Sequence, residues 1–334
     1  MILISFGTRP EYIKLKPLMD KMKGVLEYKV LFTGQHQDLV DEDNSEITYT
    51  VNINNDRNRL DSIVTSIMNA IDFKQQGITA VIVQGDTTSA YAMALSAFHH
   101  QIPVIHLEAG LRTYNLTEPY PEEANRQMIS RIASIHLCPT LLAKKRLIEE
   151  HVSGRVEVVG NTVLDNLYGI KTCNKKQILL TMHRRENHHN IQQWFRELDS
   201  LALTHSDYLF TLPIHPNPNV KKHIVELKHI TVVDPMPHAA LLDYLCNCSY
   251  VITDSGGIQE EAAFLKKPCI VCRKETERSE GIDNFSILCK SPNKLQHIFK
   301  KAKTLKMHGA CPYGNGKSCD KILKILNQIG LGAS

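Results

Sequence analysis

Charged and small residues that could do chemistry collect at a few places in this chain, each just past an apolar run. "TMHRRENHHN" at 181–190 holds His183, Arg184, Arg185, His188 and His189. The histidine spacing is neither HxxxH nor HExxH and no cysteine or acid cluster completes a ligand set, so no metal is expected. An anion cradle with one proton-handling histidine, or a solvated loop, remains. "TDSGGIQEEA" carries Ser255, Gly256 and Gly257 at a strand-to-helix junction, where free N–H groups and the helix dipole suit a phosphate. Glu260 or Glu261, one turn on, suits ribose hydroxyls; solvated glutamates on a glycine-started helix are the plainer alternative. "FGTRPEYIKLKPL" brings Arg9, shaped for bidentate phosphate contact, and Lys14. His215 in "PIHPNPNV" ends another apolar run and points to the same rim.

Three carboxylates occupy similar positions. Asp86 in "VQGDTT" and Glu108 in "HLEAGLR" each end a buried run, and Glu122 in "YPEEANR" opens a helix four residues before Arg126. Acids there often cap helices. Three converging on one cleft would instead supply general acid and base groups.

The elements that must position these residues follow from periodicity. "MILISF", "YKVLFT", "TAVIVQ", "IPVIHL", "SIHLCP" and "RVEVVG" read as strands, with "RNRLDSIVTSIMNAIDF" and "SAYAMALSAFHH" as helices among them. "QILLTM", "YLFTLPI", "HITVVD", "SYVITD" and "PCIVC" repeat the rhythm. Runs this apolar belong in parallel sheets covered on both faces, so the fold class is α/β with two doubly wound domains. The boundary is placed in "GNTVLDNLYGIKTCNKK", giving domains 1–168 and 169–316, and the final helix "SCDKILKILNQIGL" can pack on either. In such sheets ligands bind beyond the carboxyl ends of the strands, which is where the unusual residues fall; a cleft between the domains is the simplest way to gather them.

Composition removes other classes. The chain has 334 residues, with 39 Lys and Arg against 35 Asp and Glu, and a net charge of +4 too small and dispersed for nucleic acid or a membrane surface. Neither a secretory signal nor a bilayer-spanning run is evident. Nine cysteines sit mostly in apolar runs, which fits a reducing cytoplasm, and Cys269 and Cys272 read as core despite their CxxC spacing. Without GxGxxG or a Walker lysine, nicotinamide cofactors and P-loop hydrolysis lose support.

Taken in order, "FGTRPE", "GQH", "QGDTTSA", "HLEAGLRT", "PEEANR", "GNTVLD", "MHRREN", "HPNPNV", "TDSGGIQEEA", "ETER" and "PYGNGK" resemble the non-hydrolysing UDP-N-acetylglucosamine 2-epimerases along essentially the whole chain. The resemblance implies a glycosyltransferase-B type fold of two Rossmann-like domains, with helix 317–334 returning to the first. It also implies reversible epimerisation of UDP-GlcNAc to UDP-ManNAc by elimination of UDP to a 2-acetamidoglucal and re-addition, with no nicotinamide or required metal. On the matching motifs, Asp86, Glu108, Glu122 and His183 become the catalytic candidates; Arg9, Arg184, Arg185 and the amides at Ser255 to Gly257 hold UDP, Glu261 the ribose, and Lys14 and Arg126 assist. A homodimer is expected. A hydrolysing epimerase, an epimerase of another UDP-2-acetamido sugar and a glycosyltransferase are the alternatives. Asp38, His188 and His189 depart from the pattern of relatives that carry a second, activating UDP-GlcNAc site.

Overall fold

The computed structural model describes residues 1–35, 46–53, 58–214 and 218–330, and of these not the side chains of Arg185, Pro218 and Asn219. The chain forms two compact units, Met1–Asn166 with Tyr313–Ser334, and Leu167–Pro312.

Unit 1 is built on seven parallel strands: β1 (Ile2–Phe6), β2 (Tyr28–Phe32), β3 (Tyr49–Thr50), β4 (Ala80–Gln84), β5 (Val104–Leu107), β6 (Ile135–Cys138) and β7 (Arg155–Val158). Their order is β3-β2-β1-β4-β5-β6-β7, so the winding reverses between β1 and β4. Alternation along β1 shows why both faces need cover. Ile2, Ile4 and Phe6 pack with α1 (Arg9–Met22) and α11 (Ser318–Gln328), whereas Leu3 joins the opposite cluster with α2 (Arg59–Met68) and α3 (Thr88–His99).

The return of the last helix to unit 1 is fixed by the segments just before it. The Asn161 N–H donates to the Tyr313 carbonyl at 2.7 Å, and the Asp165 carboxylate caps α11 by accepting the Ser318 and Cys319 N–H groups at 2.9 and 2.8 Å. A side chain at Gly160 would meet Ser318 Oγ at 2.6 Å, so "GNTVLD" and "PYGNGK" are docking surfaces for each other.

Unit 2 has six parallel strands in the order β10-β9-β8-β11-β12-β13. These are β8 (Gln177–Thr181), β9 (Leu209–Pro213), β10 (Thr231–Val233), β11 (Tyr250–Thr253), β12 (Cys269–Val271) and β13 (Ser286–Leu288), with the reversal between β8 and β11. Ile178, Leu180, Ile252 and Ile270 form its core with α6 (Ile191–Thr204) and α10 (Leu295–Lys303). Cys269 and Cys272 are both fully buried, and burial pushes their thiols up out of the reactive range. No helix among the described residues is long and apolar enough to cross a membrane.

Candidate active site

The loops at the two reversal points are the segments whose residue types attracted attention. "FGTRPE" follows β1 and "GDTT" follows β4 in unit 1; "MHRREN" follows β8 and "DSGG" follows β11 in unit 2. A doubly wound sheet leaves a crevice where neighbouring connections depart to opposite faces, and ligands settle there.

In unit 1 the first loop is held by Glu11. Its Oε2 accepts the Gly7 N–H at 3.0 Å and the Thr8 N–H and hydroxyl, each at 2.8 Å, reaching back over the start of α1 as a capping-box glutamate does. Its Oε1 accepts the Thr87 hydroxyl at 2.6 Å, tying the loop after β1 to the loop after β4. Burial raises the Glu11 pKa, opposed by these hydrogen bonds. Arg9 is exposed on the first turn of α1, and Lys14 lies one turn further along.

Lys14 reaches Glu108. The ammonium stands 2.5 Å from Glu108 Oε2, and Gln84 Nε2 donates to the same oxygen at 2.5 Å. Both donors converge on one oxygen of a side chain only 6% exposed. Glu108 also has φ +64°, a left-handed conformation that a non-glycine residue adopts at a cost of about 1–2 kcal/mol. Strain of this kind is retained where the surroundings hold a side chain in a set direction.

Asp86 is placed by α4 (Glu122–Ile132). Its Oδ2 lies 2.9 Å from Arg126 Nη2, and its carbonyl accepts Asn125 Nδ2 at 3.0 Å. Glu122, half-buried, is the first residue of that helix. Beneath these residues the fully buried His106 pairs its Nε2 with the Gly85 carbonyl at 2.7 Å, and the Gly85 N–H donates to the Leu107 carbonyl at 3.0 Å. The ends of β4 and β5, and with them Asp86 and Glu108, are therefore locked together. Arg126 joins this cluster from α4 and Lys14 from α1.

In unit 2 the organising group is Asp254, fully buried directly after β11. It accepts the His183 N–H at 3.1 and 3.0 Å, the Arg184 N–H at 2.8 Å and Asn187 Nδ2 at 3.1 Å. His183 Nδ1 stands 3.5 Å from Asp254 Oδ1. Local burial lowers the His183 pKa, Asp254 opposes it, and Arg184, His188 and Arg273 reinforce it.

Ser255 leads into α9 (Gly256–Phe264), whose first turn holds the two glycines. A Cβ on Gly256 would come within 2.8 Å of the Arg278 guanidinium. That guanidinium is held by Glu260 Oε1, 2.8 Å from its Nε, and by Glu277, which also binds Arg273 at 2.9 Å. Arg273 in turn reaches Glu186 at 2.6 Å. Glu260 is thus part of a buried ladder of alternating charge behind the glycines, from Glu260 through Arg278, Glu277 and Arg273 to Glu186. Glu261 Oε1 lies 3.2 Å from Nε2 of His238, at the start of α8 (His238–Asn247).

His215 and Asp38 lie outside the described residues, as does the side chain of Arg185. Among the described residues, no three or more His, Cys, Asp or Glu are grouped to hold a metal. Sequence reasoning missed Glu11, Gln84, Asp254, His238 and the Arg273–Glu277–Arg278 ladder. For Glu11 the signal was there, since a glutamate three places after Thr8 at a helix start is a capping pattern.

Two Rossmann-like units, each with its charged and small residues at the reversal of the sheet, place the chain in the α/β class that handles nucleotide-containing ligands at strand ends. Comparison with known proteins narrows this. The family model for UDP-N-acetylglucosamine 2-epimerase matches residues 20–327. UDP-N-acetylglucosamine 2-epimerases from Salmonella borreze and Campylobacter jejuni are 37% and 36% identical, covering 96% and 97% of this chain and 97% of each relative. The crystal structure of UDP-GlcNAc 2-epimerase from Neisseria meningitidis bound to UDP-GlcNAc superposes with a TM-score of 0.88 at 32% identity, over 98% of this chain and 99% of that one. The chain belongs to the UDP-N-acetylglucosamine 2-epimerase family.

Proposed function

We propose that the protein interconverts UDP-GlcNAc and UDP-ManNAc without hydrolysis. The observation that carries the reading is Glu108, a strained and buried carboxylate bonded by Lys14 and Gln84, beside Asp86 at the ends of paired strands. The ligand in the Neisseria relative supports UDP-GlcNAc as substrate.

The C2 proton of the sugar has no adjacent carbonyl to acidify it, so direct abstraction is unfavourable. Elimination avoids the problem. The C1–O bond to UDP breaks with its electron pair leaving on the diphosphate, a carboxylate takes the C2 proton, and a C1–C2 double bond forms. UDP then adds back at C1 while a proton is delivered to the opposite face of C2. No step of this elimination and re-addition transfers a hydride, so the route requires no nicotinamide.

Unit 1 supplies the acid and base groups Asp86, Glu108 and Glu122. Glu108 is paired with Lys14 and Asp86 with Arg126, and we assign the two carboxylates to accept a proton or to stabilise positive charge developing at C1. For the nucleotide we assign His183, Arg184, Arg185 and the amides from Ser255 to Gly257 to the diphosphate and Glu261 to the ribose; Arg9 is a further phosphate candidate. His215 belongs to the same reading. We place the protein in the cytoplasm as a homodimer serving polysaccharide synthesis; light scattering of the purified protein tests its oligomeric state.

NMR of UDP-GlcNAc incubated with the protein in deuterated water tests the reaction. The expected result is a mixture of UDP-GlcNAc and UDP-ManNAc, both gaining deuterium at C2. Stoichiometric release of free ManNAc and UDP would overturn it in favour of the hydrolysing reaction, and transfer to an acceptor would make the protein a glycosyltransferase.

A further inference from the structure

We propose that Asp254 is a positioning residue that fixes the ring orientation and the Nδ1–H tautomer of His183, so that Nε2 is the nitrogen turned to the substrate's diphosphate. This deepens the reading above, on which His183 acts at the diphosphate.

Asp254 is already committed to the loop that carries His183, through the His183 and Arg184 N–H groups and Asn187 Nδ2. All of these are donors, so both oxygens of Asp254 act as acceptors toward the loop. The remaining neighbour is His183 Nδ1, 3.5 Å from Oδ1. A ring nitrogen lone pair facing a carboxylate oxygen would be repulsive, so Nδ1 carries the proton and the neutral ring presents its other nitrogen as the basic one. When a diphosphate arrives, Nε2 takes up a proton from solvent and donates a hydrogen bond to a phosphate oxygen, while Asp254 stabilises the resulting imidazolium.

The other groups acting on the ring pull against protonation. Arg184 on the same loop, Arg273 from the segment after β12, and His188, whose Nε2 lies 3.2 Å from the His183 carbonyl, all disfavour the cation, as burial does. Asp254 is the counterweight. It keeps the buried ring protonatable, ready to respond to the charge of the ligand.

The test is a pH titration of full-length protein labelled with 15N in histidine, the His183 signals being identified by their loss in His183→Gln. The neutral ring should show the Nδ1–H pattern, and adding UDP should raise its midpoint. In Asp254→Asn the midpoint should fall by about one pH unit or more, since an adjacent opposite charge has been removed. Asn187→Ala loosens the same loop but keeps the carboxylate, and it should retain the wild-type midpoint and tautomer. An Nε2–H pattern in the wild type, or a midpoint in Asp254→Asn that is unchanged or raised, would overturn the proposal. Should Asp254→Asn fail to fold, the wild-type tautomer decides. None of these readouts needs turnover, so failure of the epimerisation assay is a separate result.

Discussion

Gly256 and Gly257 are neighbours in sequence with opposite demands on a side chain. A methyl at Gly256 meets the Arg278 guanidinium, which cannot swing aside without abandoning Glu260 and Glu277. A methyl at Gly257 meets nothing nearer than Ser255 Oγ at 4.0 Å. Gly256→Ala should therefore destabilise the fold by about 1–3 kcal/mol, the usual cost of overpacking. Gly257→Ala should leave the melting temperature unchanged and raise KM, because its methyl occupies space wanted by phosphate; equal melting temperatures for the two variants would contradict this. Glu11 gives a prediction of another kind. Its carboxylate receives four donors. In Glu11→Gln an amide N–H₂ must face some of them, at a cost of about 1.5–3 kcal/mol by analogy with lost hydrogen bonds to charged groups. Denaturant titration reads that loss, and kcat should fall with it because Glu11 holds the loops on either side of Asp86 and Arg9.

At the scale of elements, β5 and β6 are in a register that puts His106 beside His136, both fully buried and both bonded through Nε2 to a carbonyl, of Gly85 and Ser153 respectively. Burial lowers both pKa values, that of His106 from 6.5 to about 3. Below pH 6.5 the unfolded chain takes up protons that the folded sheet refuses, so stability should decline as pH falls from about 6.5 towards 3. His106→Gln keeps a donor near the Gly85 carbonyl and removes one titrating group, so urea midpoints measured across this range should show a shallower decline than wild type. Strands such as these were legible because buried parallel strands are continuous apolar runs. β3, of two residues, is too short to carry such a signal, whereas β13 is as long as β10 and β12 and its run "SILC" was passed over. The candidate residues were legible where chemistry and strand end coincided, as at Asp86, Glu108 and His183. Asp254 and the Arg278 ladder were not, because nothing in local spacing shows that Asp254 reaches a loop some seventy positions earlier in the chain, or that Arg278 backs a glycine on another element.

For the molecule as a whole, the chain's path makes its two units unequal in independence. Unit 2 is continuous, Leu167–Pro312, and owns a six-stranded sheet with its own apolar cluster. Unit 1 is closed by a helix drawn from the far end of the chain. Cys319, Ile322 and Leu326 of α11 are fully buried against α1 and the central strands, so a chain ending before α11 leaves that face of the sheet uncovered. Ile322→Ala in the full chain should cost about 2–5 kcal/mol, as cavity-forming core substitutions do. A fragment of residues 167–312 should melt cooperatively and give a dispersed amide spectrum, whereas a fragment of residues 1–166 should not. Adding a peptide of residues 313–334 to the latter should restore its helical signal and its cooperative melt, since the Asn161–Tyr313 bond and the Asp165 cap offer a ready docking point. A cooperative melt of 1–166 alone would mean that the returning helix is dispensable to unit 1.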